Sequence, residues 1–415
     1  MKKAVVLLGS GFSIPFGGPS SGELLHLIET DPYTNNTDTF QSQLVTQLLI
    51  FLRNFYGFKQ VNFETLLASL ESLYQYTTSF TQKQKSVSYS SLMPAIYNLK
   101  CQQELITKEA EIVNKPIPSY LIDIYKHCIC SILHQIYKYD NLNTIQKVEP
   151  ALNNGLHNFV KALIDNEYSI KFYTTNYDRI VPRLLPDIEF DEGLKEIVHE
   201  NSFNEEFGNN SLGCTINTLN QEFDFSNTVV ESQDAKPLLF HNDLMRFSQA
   251  RYTYYNLHGS RYLSVTYPDG KPCFNINGTD YASAIGRYCG SNPNEYLMFT
   301  PIIAGYTKSQ RALTEPFHFG FTSFTIDCNT CDKFFSLGYS YRDPHINSII
   351  SSNLQEDVSL ECIVNNTINE EIITPEQLKL QKESPIRQVK NCTRGRIFER
   401  GIEEYFEKRI YEDIL

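Results

Sequence analysis

An apolar run that ends in a glycine-dense loop sets the strongest limit on the fold of this chain. Residues 4–8 read AVVLL, and residues 9–20 read GSGFSIPFGGPS. An aliphatic run without polar alternation is typical of a strand that is buried on both faces of a parallel sheet. Ser20 can cap an amphipathic helix that begins in SGELLHLIE. A strand, a glycine loop and a helix in this order direct backbone N–H groups at one point, where a phosphate can bind.

Two other interpretations of this stretch are a signal peptide and an ordinary turn. Lys2 and Lys3 before an apolar run resemble the start of a signal peptide, but Gly9 ends the run before the roughly 7–15 apolar residues that such a segment needs. We therefore expect no signal peptide. A turn without a ligand stays open, because Ile14 stands where the G-x-G-x-x-G fingerprint has its third glycine.

The composition narrows the classes of function. The chain has 415 residues, of which 41% are hydrophobic, so it can bury a large core. A formal net charge of -12 repels nucleic acid and anionic lipid over most of the surface, and we expect neither as a direct partner. The 10 cysteines are scattered, as in proteins with reduced thiols, and no apolar run approaches the ~18 residues of a membrane span. We therefore expect a cytoplasmic protein without a membrane segment.

The pattern along the chain predicts an α/β fold with a long interruption. Residues 36–149 carry apolar residues at helical spacing and no strong strand pattern, which predicts an all-helical insertion. Alternating strands and helices resume near residue 150. We therefore predict a discontinuous Rossmann-like domain with a parallel sheet, formed by residues 1–35 and 150–365.

Residues 366–415 are predicted to form a C-terminal helical segment. Near the end of the chain, an apolar stripe recurs at every fourth residue: Ile402, Phe406, Ile410 and Ile414. This stripe fits a terminal helix that packs on its own domain, or a helix that docks on a partner.

Three polar clusters follow predicted strands, just as the glycine loop follows the first strand. They read TTNYD at 174–178, LHGS at 257–260 and GYSYRD at 338–343. In an open parallel sheet, ligands bind outside the carboxyl ends of the strands. We therefore predict that the four loops converge on one crevice.

In this order, the motifs resemble those of the sirtuin-like NAD-binding family, and most closely its bacterial anti-phage defence branch. The matching segments are GSGFS at 9–13, GGP at 17–19, TTNYD at 174–178, HGS at 258–260 and GYS at 338–340. The resemblance implies a Rossmann-like NAD-binding domain that hydrolyses NAD+ to nicotinamide and ADP-ribose. It also implies that the chain depletes NAD during infection.

The resemblance also implies roles for individual residues. His258 would be the catalytic base, because an imidazole with an ordinary pKa of about 6.5 suits proton transfer near neutral pH. Asn176 would orient the water or hold a ribose hydroxyl. Asp178 would accept a hydrogen bond from the nicotinamide carboxamide or cap its own loop, the 9–13 loop would hold the diphosphate, and Ser340 would bind the adenosine-side ribose or phosphate. The predicted NAD-binding residues are Gly9, Ser10, Gly11, Ser13, Asp178, Gly338 and Ser340.

Two departures from the family pattern bear on the substrate. Deacylating sirtuins carry a zinc ribbon of two Cys-x-x-Cys pairs, and here Cys328 and Cys331 form a pair without a second one. A structural zinc site needs four ligands, so we expect no zinc and no other metal, and acyl-lysine substrates are disfavoured. Residues 20–22 read SSG where the family has Phe-Arg beside the nicotinamide-side ribose. We interpret Asp343 as a helix cap and His345 as a packing residue.

The resemblance implies partners as well. NAD+ is the expected substrate, and because an unregulated NADase would be toxic, we expect gating by homo-oligomer assembly or by a partner. In similar two-component systems that partner is a HerA-like hexameric ATPase. Three other functions stay open. The chain could be a catalytically silent module that binds NAD or ADP-ribose, or a protein deacylase. It could also be a hydride-transferring enzyme, in which Glu29 or Asp31 would bind the ribose of the dinucleotide cofactor.

Overall fold

The structure is a computed structural model of the chain. The residues that it describes are 2–30, 39–56, 61–81, 117–140, 150–191, 194–196, 238–240, 247, 249–261, 263–264, 273–274, 302–305, 308–313, 317–364 and 394–415.

The strands form one large and one small sheet. In chain order they are β1 (Lys2–Leu8), β2 (Tyr168–Thr174), β3 (Leu194–Glu196), β4 (Leu238–Phe240), β5 (Tyr252–Asn256), β6 (Leu263–Ser264), β7 (Cys273–Phe274), β8 (Lys333–Leu337), β9 (Ser359–Ile363) and β10 (Arg394–Phe398). The large sheet has the order β10-β9-β8-β1-β2-β5, and all its neighbouring pairs are parallel. The small sheet is antiparallel, in the order β3-β4-β7-β6.

The strand order of the large sheet is that of a Rossmann fold. Numbered by their sequence within this sheet alone, its strands run 3-2-1-4-5-6 from one edge to the other. The predicted α/β fold with a Rossmann-like parallel sheet is therefore confirmed.

Strand β1 lies in the middle of the sheet because both of its faces are apolar. Its alternate side chains enter two hydrophobic cores on opposite faces of the sheet, with Ala4, Val6 and Leu8 in one core and Val5 and Leu7 in the other. The period-two alternation of a strand produces this division. Leu8 pairs with Thr174 on one side and Leu337 on the other, so β1, β2 and β8 end at the same level.

The helices flank the large sheet and form the described part of the predicted insertion. In chain order they are α1 (Ser10–Ser13), α2 (Ser21–Thr30), α3 (Thr39–Tyr56), α4 (Phe63–Thr81), α5 (Ile117–Tyr139), α6 (Pro150–Asp165), α7 (Ile180–Leu184), α8 (Lys308–Arg311), α9 (Phe317–Thr330), α10 (Pro344–Asn353) and α11 (Gly401–Glu407). Within the predicted insertion, α3, α4 and α5 are helical as expected, and the rest of residues 36–149, apart from a few flanking positions, lies outside the described residues. Among the described helices, none combines the length and apolar character needed to cross a membrane.

The C-terminal part contains a strand where the sequence predicted only a helical segment. A helical segment was expected over 366–415, but β10 extends the large sheet beside β9, while residues 365–393 lie outside the described residues. Ile402 and Phe406 are buried in the core, and the other two residues of the apolar stripe pack against that core. The stripe therefore packs on its own domain, and the domain boundaries themselves remain predictions.

Candidate functional site

A cavity of about 520 Å³ lies at the carboxyl ends of the parallel strands. Five of the predicted site residues line it: Ser10 and Ser13 after β1, Asn176 after β2, His258 after β5 and Ser340 after β8. The Rossmann order places its topological switch point between β1 and β8, where ligands bind in open α/β sheets. The structure therefore brings these five residues, which are far apart in the chain, to one place.

The three predicted glycines pack two loops against each other and are not among the residues that line the cavity. The backbone N–H of Gly9 donates to the carbonyl of Leu337 at 3.0 Å, and that of Gly11 donates to the carbonyl of Gly338 at 3.0 Å. Gly338 has a φ of 65°, and a Cβ there would lie 2.2 Å from the backbone nitrogen of Phe12. Glycine allows this approach, and a contact of Gly9 or Gly11 with a diphosphate stays a prediction.

The side-chain amide of Asn176 is oriented by two hydrogen bonds. Its Nδ2 donates to the carbonyl of Gly9 and to Oγ of Ser13, both at 2.8 Å. A carbonyl can only accept, so the amide nitrogen must face Gly9. The amide oxygen is then the atom that Asn176 can offer to a water or a hydroxyl group in the cavity.

Asp178 supports the cavity wall from behind and is not one of the lining residues. Its Oδ2 accepts from Oγ of Ser13 at 2.6 Å and from the hydroxyl of Tyr139 at 2.9 Å, and its Oδ1 accepts from the backbone N–H of Ile180 at 3.4 Å. Burial, together with the charge of Asp140, raises the pKa of Asp178 to about 6 in spite of these bonds. Both oxygens of Asp178 already bond within the protein, which does not favour a contact with a nicotinamide carboxamide. That contact stays a prediction.

The helical insertion reaches the site through the end of α5. Tyr139 lines the cavity, and the next residue, Asp140, accepts from Nε of Arg183 at 2.9 Å and from Nε of Arg261 at 3.1 Å. Because the carboxylate of Asp140 is buried, these guanidinium groups are needed to balance its charge. Tyr139 could not be predicted from the sequence, since no motif surrounds it and tertiary packing alone brings it to the cavity.

His258 is buried, and its imidazole faces a second imidazole. Its Nε2 lies 3.2 Å from Nε2 of His345. Burial and then the positive charge of Lys308 lower the pKa of His258 well below its usual value, against the opposing effect of Asp343. The ring is therefore neutral near neutral pH and can accept a proton, but the lowered pKa makes it a weaker base than the ordinary imidazole expected from the sequence.

An ammonium group in the cavity wall links two carboxylates. Nζ of Lys308 lies 2.5 Å from Oε1 of Glu64 and 2.8 Å from Oδ1 of Asp343. Burial lowers the pKa of Lys308, but the charges of the two carboxylates outweigh burial and raise it. Burial raises the pKa of Asp343, but its interactions with His258 and Lys308 outweigh burial and lower it to about 2. Lys308 therefore stays positive and Asp343 negative around neutral pH.

Two interpretations from the sequence change at this point. Asp343 makes no side-chain cap bond to α10, because its carboxylate bonds to Lys308 instead. His345 does not only pack, since it faces His258. Asp343 belongs to the GYSYRD loop, and His345 lies in the helix turn that follows it. Their closeness to this motif is the one sequence signal that they belong to the site. Lys308 and Glu64 gave no such signal.

Within the described part of the chain, one group of side chains has the spacing of metal ligands: His258, Asp343 and His345. Their ligand atoms lie within 4.8 Å of one another, but Asp343 already bonds to the Lys308 ammonium. Cys328 and Cys331 are buried free thiols, and burial raises the pKa of both. The absence of zinc and of other metals stays a prediction.

A protein-family model that matches this chain was not found, and no curated protein matches it.

Proposed function

We propose that the cavity binds NAD+ and that the chain hydrolyses it to nicotinamide and ADP-ribose. The observation that carries this proposal is the convergence of Ser13, Asn176, His258 and Ser340 on one cavity at the switch point of a Rossmann-like sheet. The resemblance to the sirtuin-like family assigns these same residues to NAD+. The cavity volume of about 520 Å³ falls within the roughly 300–1,000 Å³ of small-molecule sites.

The reaction needs a base more than an acid. The nicotinamide ring of NAD+ is cationic and leaves as a neutral molecule without being protonated, while positive charge develops on the ribose as in glycoside hydrolysis. Water bonds to C1′ of the ribose, and one proton is released for each NAD+ that is cleaved. The neutral imidazole of His258 accepts that proton.

The other residues of the site bind and orient the reactants. The amide oxygen of Asn176 accepts a hydrogen bond from the attacking water or from a ribose hydroxyl, while its Nδ2 is held by Gly9 and Ser13. Ser340 bonds to the adenosine-side ribose or to a phosphate oxygen. Asp178 acts indirectly, by holding the hydroxyl of Ser13.

The proposed biological role is NAD depletion in the cytoplasm during phage infection. On the basis of the resemblance, the active form is a homo-oligomer, and a HerA-like hexameric ATPase is the partner that gates it. Gating fits the proposed activity, because uncontrolled cleavage of NAD+ would kill the cell that makes the protein.

Product analysis together with a binding measurement tests the function. NAD+ is incubated with the whole chain, with and without a HerA-like ATPase, and nicotinamide and ADP-ribose are separated by chromatography. We expect equal amounts of the two products, and a loss of about 100-fold or more in Asn176→Ala. His157→Ala is the control, because His157 is exposed on α6.

Calorimetric titration with NAD+ separates the alternatives. Binding of NAD+ without cleavage, with and without the ATPase, would contradict the enzyme and favour the silent binding module. Conversion of NAD+ to NADH in the presence of a reduced substrate would favour the hydride-transferring enzyme.

A further inference from the structure

The first turn of α10 brings a second histidine to the base of the proposed reaction. His345 lies in that turn, and its ring centroid is 5.4 Å from that of His258, with an angle of 35° between the ring planes. His258 lines the cavity, whereas His345 is half-buried and is not a lining residue. His345 is therefore placed to act on His258 and not directly on a ligand.

The surrounding structure holds the two rings in place. The ring of Phe321 packs against both, with centroid distances of 5.4 Å to His345 and 6.4 Å to His258. Asn347 of α10 donates from Nδ2 to the carbonyl of Tyr341 at 2.7 Å, which ties the helix to the loop after β8. The separation of 3.2 Å between the two Nε2 atoms is thus set by a helix, a loop and an aromatic wall.

Both rings are neutral near neutral pH, so one hydrogen lies between them. Burial lowers the pKa of His345 below its usual value, with Asp343 opposing this effect and Lys308 adding to it. Burial and Lys308 do the same to His258. A hydrogen bond between two neutral imidazoles needs one N–H donor and one bare nitrogen.

The backbone of Thr175 favours one of the two arrangements of that hydrogen. It raises the pKa of His258, and since its N–H already donates to the carbonyl of Leu8 at 3.0 Å, its carbonyl is the atom that favours a hydrogen on the ring. Nε2 of His258 faces His345, so this effect favours the hydrogen on Nδ1. In that arrangement Nε2 of His258 is bare, and Nε2–H of His345 donates to it.

We propose that His345 is a positioning residue for the NAD+ hydrolysis proposed above, on which this inference rests. Its Nε2–H bond holds the Nε2 lone pair of His258 in one orientation and one tautomer until the reacting water or hydroxyl group takes its place. Asp343 and Lys308 are the charged groups beside the pair, and Lys308 bonds to Asp343 at 2.8 Å and to Glu64 at 2.5 Å, so its positive charge is shared between two carboxylates. The orientation of the base therefore depends on His345.

Two substitutions of His345 distinguish a role as a hydrogen-bond donor from a role in filling space. His345→Gln keeps an N–H donor, whereas His345→Leu has a similar size and no donor. We expect His345→Leu to lower kcat for NAD+ cleavage by ~10- to 100-fold, as for other residues that orient a functional imidazole, and to leave KM within about twofold. His345→Gln should recover most of the loss. If His345→Leu does not fold, His345→Asn replaces it, because its shorter amide cannot span the distance to His258.

Nuclear magnetic resonance of the whole chain with ¹⁵N-labelled histidine tests the bond without any turnover. The signals of His258 are assigned with His258→Ala, and His157→Gln is the control for an exposed ring. We expect a single Nδ1–H tautomer in the wild type and in His345→Gln. In His345→Leu we expect mixed tautomers and a titration of His258 at higher pH, because the neighbouring ring no longer disfavours the imidazolium.

Each outcome bears on one of the two proposals. The same tautomer and titration of His258 in the wild type and in His345→Leu would overturn the positioning role. Shifts of both histidines on addition of one equivalent of Zn2+, with cleavage that depends on the metal, would overturn it too and would make the pair metal ligands. If the expected spectra appear but the wild type cleaves no NAD+ with or without its partner, the hydrolysis fails and the hydrogen bond stands.

Discussion

Single residues at the site are fixed by close backbone approaches and by buried polar groups that bond to one another. Gly338 lets the loop after β8 pass against the loop after β1, and Asp178 holds Ser13, which in turn accepts from Asn176. A chain of hydrogen bonds of this kind orients a side chain without contacting the ligand. The residues behind the cavity wall therefore matter as much as those that line it.

Alanine at Gly338 tests the backbone approach. Its Cβ would meet the backbone nitrogen of Phe12 at 2.2 Å, and its φ would be 65°. We expect Gly338→Ala to lower the free energy of unfolding by about 2 kcal/mol or more, measured by urea unfolding. Gly22→Ala is the matched control, since a Cβ at Gly22 meets nothing within 4 Å. Equal effects of the two substitutions would contradict the packing role of Gly338.

Asp178 makes stability depend on pH. Its pKa of about 6 in the folded chain lies above the ordinary value of 3.8, so the folded chain binds the proton more tightly than the unfolded chain. Its contribution to stability is therefore fully present below pH 3.8 and is lost as the pH rises through about 6. At about 1.4 kcal/mol per pKa unit, the change is on the order of 3 kcal/mol.

Urea unfolding between pH 4 and pH 7 measures this dependence. The free energy of unfolding of the wild type should fall more over this interval than that of Asp178→Asn, which cannot titrate. Parallel curves for the two proteins would show that the carboxyl group of Asp178 has an ordinary pKa.

At the level of the elements, residues 302–305 and α8 contact both the helical insertion and the loop that carries the proposed base. The backbone N–H of Ile303 donates to the carbonyl of His258 at 2.8 Å. Nη2 of Arg311 and the hydroxyl of Tyr125 both reach Oε1 of Glu71 on α4, at 2.9 Å and 2.6 Å. The insertion is therefore joined to the site by α8 as well as by the end of α5.

Removal of the carboxylate of Glu71 tests this connection. Glu71 is buried, so Glu71→Ala leaves Arg311 and Tyr125 without this acceptor, and we expect a loss of about 1–3 kcal/mol of stability. Hydrogen exchange should also become faster at Ile303 and its neighbours. Arg400→Ala, which breaks an exposed pair with Glu404, is the control and should change stability by less than about 0.5 kcal/mol. If hydrogen exchange at Ile303 did not change, α8 would not connect the insertion to the site.

For the whole molecule, the sequence predicted the sheet better than the contacts around the cavity. The doubly buried run at residues 4–8 and the polar loops after strands have a local signature, so the parallel sheet and the convergence of its loops followed from pattern alone. Tyr139 and Lys308 line the cavity through tertiary packing, which no local pattern records. His345 lies behind His258, and its closeness to the GYSYRD loop was the one local signal for that place. Strand β10 was missed for a related reason, since RGRIF is a short edge strand with charged residues.

The C-terminal part should be integral to the stability of the sheet. The ring of Phe406 packs 5.7 Å from that of Phe159 on α6, and a Cβ at Gly155 would lie only 2.5 Å from Cβ of Phe406. We expect Phe406→Ala to cost about 3–5 kcal/mol in urea unfolding, because the cavity it leaves is closed on several sides. Glu407→Ala, at the next and exposed position, should be nearly neutral. A small effect of Phe406→Ala would mean that the C-terminal part folds separately.

The proposed function depends most on His258, which takes the proton released when NAD+ is hydrolysed in this cavity. The most direct measurement is nicotinamide release from NAD+ by the purified chain and by His258→Ala, with the HerA-like ATPase present in a second series. We expect release by the wild type and a loss of about 100-fold or more in His258→Ala, with unchanged folding by circular dichroism. Release at the wild-type rate by His258→Ala, or no release by the wild type in either series, would contradict the account.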